Sequence, residues 1–240
     1  MSDDLLRHHD GHLTRLTLNR PGKANALSAS LVEALLDAVD YAQGDGTRLL
    51  VLDGAGHHFC AGFDFTGYQD QSEGDLALRL IRIETLLQTL HHAPFETLAL
   101  AHGKIFGAGA DLVAACGIRV AAPGTTFRMP GLRFGVVLGT RRLAHRVGAD
   151  HARSILSASR IFGADEALGI NFITEIGEQP QWGAIVQRVQ SYCEQLTPAA
   201  AAALHRQTTP DTRADDMHAL ARSVSVPGLK ERIRLYREHS

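Results

Sequence analysis

The sequence carries no excess of charge of either sign. Its 24 lysines and arginines stand against 26 acidic residues, a formal net charge of -2. No basic face is therefore expected for nucleic acid or for an anionic membrane, and an anionic ligand has to be met locally. Cysteine is scarce: Cys60, Cys116 and Cys193 are odd in number and show no C-x-x-C spacing. This argues against a disulfide framework and a cysteine-based zinc site, and it predicts a reducing compartment. No apolar run approaches the roughly 18 residues needed to cross a bilayer. With a polar, histidine-rich segment at residues 1 to 10, a cytoplasmic protein with no membrane partner is expected by elimination.

Several catalytic signatures are missing as well. There is no G-x-S-x-G elbow and no Walker loop. A G-x-G-x-x-G is incomplete, because Gly107-Ala108-Gly109 is followed by Ala110, Asp111 and Leu112. Serine hydrolase, nucleotidase and dinucleotide-binding readings lose their main support. The histidine pairs His8-His9, His57-His58 and His91-His92 come without the carboxylate and spacing of an H-E-x-x-H helix, so no metal site is predicted. His57 or His58 stands close enough in sequence to the segment beginning at Cys60 to reach a pocket there, although a surface position is expected.

What is present is the composition of an ordinary globular protein: 240 residues, 45% hydrophobic and 21% charged, enough for one large α/β domain or a domain with an appendage. Residues 12 to 19 alternate loosely as a half-buried strand does, and Arg20-Pro21-Gly22 breaks them. Ser28 or Ser30 can cap the next segment, where Leu31, Leu35, Leu36 and Val39 share one helical face. Leu49 to Leu52 reads as a strand buried on both faces. The pattern repeats with a helix around 75 to 92, a strand at Thr97 to Ala101, a glycine-rich turn at 103 to 109 and a small-residue helix through about Cys116. A short strand is expected around Phe127, helices near 139 to 158 and 163 to 169, and a β-prone piece from Phe172 to Ile176. Beyond Pro180 the chain reads as helical.

Two glycine-centred turns follow buried strands: Cys60-Ala61-Gly62-Phe63-Asp64 and Gly103 to Asp111. Small residues let a ligand reach the backbone. The second turn opens a helix, whose first N–H groups have no intrahelical partner and point outward at the positive end of the dipole. Such amides suit a developing oxyanion, provided two of them converge about 3 Å from one oxygen. Either turn alone serves equally well for tight packing; their pairing points to chemistry.

The residues H-H-F-C-A-G-F-D-F (57 to 65) resemble the F-x-A-G-A-D-L segment of the crotonase, or enoyl-CoA hydratase/isomerase, superfamily. Residues 103 to 122 resemble its G-x-x-x-G-G-G-x-E-L-x-x-x-C-D-x-R-x-A-A segment. N-R-P-G-K-A-N-A-L (19 to 27) and R-I-F-G-A-D-E-A-L-G-I-N-F-I-T-E-I (160 to 176) match two further segments in the same order. The resemblance implies an α/β spiral of repeated ββα units over residues 1–178, a helical C-terminal region over 179–240, and a homotrimer or homohexamer. It implies an acyl-CoA substrate held by the backbone N–H groups of Phe63 and Ala108, with Lys23, Ala24 and Ala61 meeting coenzyme A. No cofactor is implied beyond the coenzyme A of the thioester. Lys230, Arg232, Arg234 and Arg237 are available for its phosphates, and none is assigned.

The chain departs from the hydratases at both acids. Asp111 stands where the first glutamate is expected, and Gly131 where the second is. The following loop, Leu138-Gly139-Thr140-Arg141-Arg142-Leu143, is shorter by three residues, so the pocket wall must differ. Water addition needs a base and an acid, and efficient hydration is not expected. Asp111 lies one helical turn from Ala108 on the same face, which suits an acid/base working beside a thioester carbonyl. It equally suits a dipole-stabilising aspartate. The sequence leaves open an isomerase or lyase using Asp111, a degenerate acyl-CoA binding protein, and a thioester hydrolase or decarboxylase. Cys60 and Cys116 are expected to be core filling.

Overall fold

The computed structural model describes residues 4–239. Strands β1 (Leu5–Asp10), β2 (Leu13–Leu18), β3 (Leu49–Gly54), β4 (Glu96–Ala101), β6 (Ile118–Ala121) and β9 (Glu175–Ile176) form a six-stranded sheet in the order β1-β2-β3-β4-β6-β9. Its pairs are parallel except β1 with β2. β5 (Lys104–Phe106), β7 (Thr126–Arg128) and β8 (Phe162–Gly163) form a small second sheet. The chain thus lays a strand in the large sheet, a strand in the small sheet and then helix, as β4, β5 and α3 (Ala108–Ala115) do in succession. That is the expected spiral.

Local chemistry accounts for the helices on the core. α1 (Ala29–Ala42) begins where the Ser28 side chain accepts the Leu31 amide, and it buries Leu31, Leu35, Leu36 and Val39. α2 (Glu73–His91) starts with a full capping box between Ser72 and Asp75, which satisfies two otherwise orphaned amides. α3 is buried along its entire length, because its small side chains let it lie in the middle of the protein. Phe127, Phe162 and Phe172 interlock with ring centroids 4.9 to 5.3 Å apart; each such contact adds about 0.5–1.5 kcal/mol to simple burial.

α4 (Thr140–Val147) and α5 (Ala149–Ala158) separate at Gly148, and α6 (Ala164–Gly169) follows β8. α7 (Trp182–Cys193) covers one sheet face, packing Ile185, Val186 and Val189 against Leu49, Val51, Leu98 and Leu100. α8 (Pro198–Thr208), α9 (Arg213–Val224) and α10 (Leu229–Glu238) complete the helical C-terminal region. Leu220, Val224, Leu229 and Ile233 from α9 and α10 join Leu76 and Leu80 of α2 and Phe134 in a second apolar cluster. This cluster forms one wall of a cavity beside α3.

The polar segment 5–10 is strand β1, whose side chains are mostly exposed, where no element was expected. β5 lies inside the stretch read as turn, and β6 follows the helix expected through about Cys116, where no strand was expected. Phe172 and Ile173 are core residues of a turn closed on the Ala167 carbonyl, and only Glu175–Ile176 is strand.

Candidate active site

The two glycine-rich turns meet. The Phe59 amide donates to the His102 carbonyl at 2.9 Å and the Phe106 amide to the Cys60 carbonyl at 3.2 Å, so residues 59–62 run beside β5. A methyl group on Gly62, at φ +85°, would stand 2.4 Å from the Phe106 carbonyl oxygen and 3.1 Å from the Ala108 nitrogen. Only glycine fits that crossing. The next residue is Phe63, and among the described residues neither its amide nor that of Ala108 has a hydrogen-bond partner within the protein. Ala108 opens α3 and is not among the residues with positive φ, so alanine can hold this place. Both Phe63 and Ala108 line a cavity of about 190 Å³.

The turn bearing Phe63 is held from outside. Arg79 donates to the Asp64 carbonyl at 2.6 Å and lies 4.1 Å over the Phe63 ring. The Asp64 carboxylate accepts from the Thr66 amide and from Arg20 at 2.9 Å each. Burial works against its charge, but these bonds and the Arg20 guanidinium hold the carboxyl below its ordinary range.

Asp111 lies on the cavity wall one turn into α3, 3% exposed, and its Oδ1 is buried without a partner. Burial pushes its carboxyl up to about 8; the Arg142 guanidinium opposes that shift and the Glu84 carboxylate adds to it. Among the described residues it is the one carboxyl lining the cavity. Most other lining groups are apolar, including Phe65, Phe106, Met129, Leu138 and Leu156, with Thr140 and Tyr236 contributing hydroxyls. Gly131 lines the cavity and brings no acid.

Ala24 and Ala61 are brought together: the Ala61 amide donates to the Ala24 carbonyl at 2.9 Å. Asn25, buried with φ +54°, ties this loop down by donating to the carbonyls of Ala55 and His58 and accepting the Arg20 amide. Ala61 lines the cavity, whereas Lys23 sits exposed in the adjoining turn Pro21–Lys23.

His57 is exposed, and the His58 ring accepts the Lys104 amide; neither lines the cavity. Cys60 and Cys116 are buried in the core with thiols pushed up to about 12 by burial. No three of His, Cys, Asp and Glu gather as a metal-binding group among the described residues, and no helix among them is long and apolar enough to cross a membrane. Of the C-terminal cations, Arg232 is taken up by carbonyls including Phe134, Arg234 by Glu231 and Glu238, and Arg237 stands near the rings of Phe65 and Tyr68.

Sequence reasoning missed the groups behind Asp111. Arg142 of α4 donates to Glu84 of α2 at 2.9 Å, with the two side chains 3% and 1% exposed. Their pairing had one available signal, two charged residues on otherwise core-facing helical positions.

A spiral of ββα units with a buried small-residue helix and a helical C-terminal region defines the crotonase class of fold. A family model described as enoyl-CoA hydratase/isomerase matches residues 9–227, and the chain belongs to that family. It is 33% identical over 180 residues, 72% of each chain, to the protein named "Probable enoyl-CoA hydratase echA6" of Mycobacterium tuberculosis. It is 30% identical over 204 residues to the ethylmalonyl-CoA decarboxylase of Mus musculus, covering 81% of this chain and 62% of that one. A crystal structure named for an enoyl-CoA hydratase/isomerase from Bordetella parapertussis matches with a TM-score of 0.97 and 52% identity over 98% of both chains.

Proposed function

We propose that this protein binds acyl-CoA thioesters and moves a proton at the carbon beside the thioester carbonyl, acting as an isomerase of an unsaturated acyl chain. One observation carries the reading: the cavity holds two free backbone amides and, one helical turn away, a single carboxyl with an unpartnered oxygen. In its ionised form Asp111 takes the proton from Cα. The electron pair moves into the carbonyl, and the Phe63 and Ala108 amides hold the resulting enolate oxygen. Asp111 then returns the proton at Cγ as the double bond shifts from β,γ to α,β. Preorganised donors of this kind are each worth roughly 3–4 kcal/mol in the transition state. Hydration is disfavoured, since Gly131 brings no second acid.

Coenzyme A in this reading lies along Lys23, Ala24 and Ala61, supported by the hydrogen bond that draws their two segments together at the cavity. The thioester's coenzyme A is the only cofactor the chemistry requires. Assembly as a trimer or a dimer of trimers is part of the proposal, supported by Tyr192, Leu196 and Leu204, which are 40 to 51% exposed around an apolar groove.

A second reading is decarboxylation of a carboxylated acyl-CoA. The Cα–carboxylate bond breaks, CO2 leaves, the electron pair forms the same enolate, and protonated Asp111 supplies the Cα proton. The elevated titration of Asp111 favours it, and the decarboxylase relative agrees with it. Incubation with 3-enoyl-CoA, followed by the absorbance of the conjugated thioester, and with ethylmalonyl-CoA, followed by CO2 release, separates the two. Binding of both without turnover of either would reduce the protein to a thioester binder.

A further inference from the structure

Buried polar atoms without partners are concentrated behind the cavity. Asp111 Oδ1 belongs to α3, Glu84 Oε2 to α2, and Thr140 Oγ1 with Arg142 Nε and Nη1 to α4, and α3 packs against both of the other helices. Arg142 stands one turn into α4, whose first residue, Thr140, follows the Gly139 that touches the Asp111 carboxylate. Among the described residues its one ion pair is with Glu84. Glu84 Oε1 also accepts from Gln88 at 2.9 Å, and Gln88 donates in turn to the Arg213 carbonyl.

We infer that Glu84 and Arg142 are positioning residues for Asp111, a buried carboxylate–guanidinium pair that sets the pH at which the cavity acid changes its protonation. The inference rests on the reading of Asp111 as the site's acid/base. Its physical basis is charge counting. With Glu84 ionised, Arg142 charged and Asp111 protonated, the buried group is neutral; ionising Asp111 places a net negative charge in a low-dielectric interior, which is costly. Two carboxyls therefore lie under the charge of one guanidinium, which is bonded to Glu84, and carboxyls so placed titrate as a coupled set. Burial raises Glu84 as it raises Asp111, and the Arg142 charge lowers both.

Other charged and titratable groups stand around this cluster, among them His92, held toward its neutral form by burial and by the Arg213 and Arg142 guanidiniums. Arg141 is paired with Asp216 of α9 at 2.6 Å, and Asp216 acts on Glu84 from outside. Arg146 donates to the carbonyls of Ala114 and Cys116. His91 is bonded to the Ala115 carbonyl and held neutral, its pKa driven by burial down to about 3. Tyr236 of α10 lines the cavity and packs on the Phe134 ring.

The test is an infrared pH titration of the protonated carboxyl stretch of Asp111, assigned by its loss in Asp111→Asn. Glu84→Gln keeps an acceptor for Arg142 and Gln88 but removes the competing negative charge. The Asp111 midpoint is then expected to fall by about 1–2 pH units, the size of effect an uncompensated neighbouring cation has on a carboxyl. The double variant Glu84→Gln/Arg142→Gln keeps a neutral hydrogen-bonded pair, and its midpoint is expected above that of the unaltered protein, because the guanidinium is the larger of the two influences. A purely structural pair would not move the midpoint in opposite directions. Midpoints unchanged in both variants would overturn the inference whatever the reaction. Shifted midpoints in a protein that turns over no thioester would uphold it and count against the proposed function alone.

Discussion

Gly139 closes on Asp111 so tightly that a methyl group on its α-carbon would stand 1.7 Å from Oδ1. The shortened loop read from the sequence thus becomes the wall against which the cavity acid is seated. Gly139 also has φ +64°, a conformation that strains other residues by about 1–3 kcal/mol. Gly139→Ala is expected to lower the melting temperature by several degrees and to reduce turnover about 100-fold by displacing the carboxylate. Thermal denaturation and steady-state kinetics check both; full activity would show that the seat is unnecessary.

Asp111 is a residue that the fold carries at a cost. An unfolded aspartate titrates near 3.8 and the buried one near about 8, so folding favours the protonated form. Stability from this group is whole below about pH 4, declines as pH rises, and is lost by about pH 8. Asp111→Asn should therefore be more stable at pH 8, on the order of a few kcal/mol, with the gain vanishing near pH 4. Activity should fall at least about 100-fold. Denaturant titrations at the two pH values measure the first effect, and a variant no more stable at pH 8 would contradict it.

The two amides depend on Gly62. Gly62→Ala places its methyl group 2.4 Å from the Phe106 carbonyl at φ +85°, which must separate Phe63 from Ala108. Loss of one donor predicts a fall of about 100- to 1,000-fold in turnover, accompanied by a lower melting temperature. Retained turnover in a folded variant would remove the paired amides from the mechanism.

The direction of the pH profile separates the two reactions. Isomerisation begins with ionised Asp111, so its rate should rise with pH and level off above about 8. Decarboxylation needs protonated Asp111 to supply the Cα proton and should decline over the same range. Rates measured from pH 6 to pH 9 with 3-enoyl and carboxylated thioesters decide between them.

Much of this was legible in the sequence because local signals and the fold agree. The Ser28 cap, the run Leu49 to Leu52 and the glycine turns around Phe63 and Ala108 each announce the structure they adopt. β1 was not legible, since an edge strand with exposed side chains shows no apolar alternation. β5 and β6, three and four residues long, are too short to establish a period. Glu84 and Arg142 are 58 positions apart, and the packing of α3 against both α2 and α4 brings their helices to that of Asp111. Sequence spacing could pair Asp111 with Ala108 within one helix, but not with a counter-ion from another.

The central claim, enolate formation on two amides with Asp111 moving the proton, is tested most directly by deuterium uptake at the α-carbon of a saturated acyl-CoA, such as butyryl-CoA, in D2O. This needs no knowledge of the natural acyl group. The account predicts catalysed exchange by the unaltered protein and its loss in Asp111→Asn, with the thioester still bound. Bound butyryl-CoA that gains no deuterium, or exchange that persists in Asp111→Asn, would contradict it.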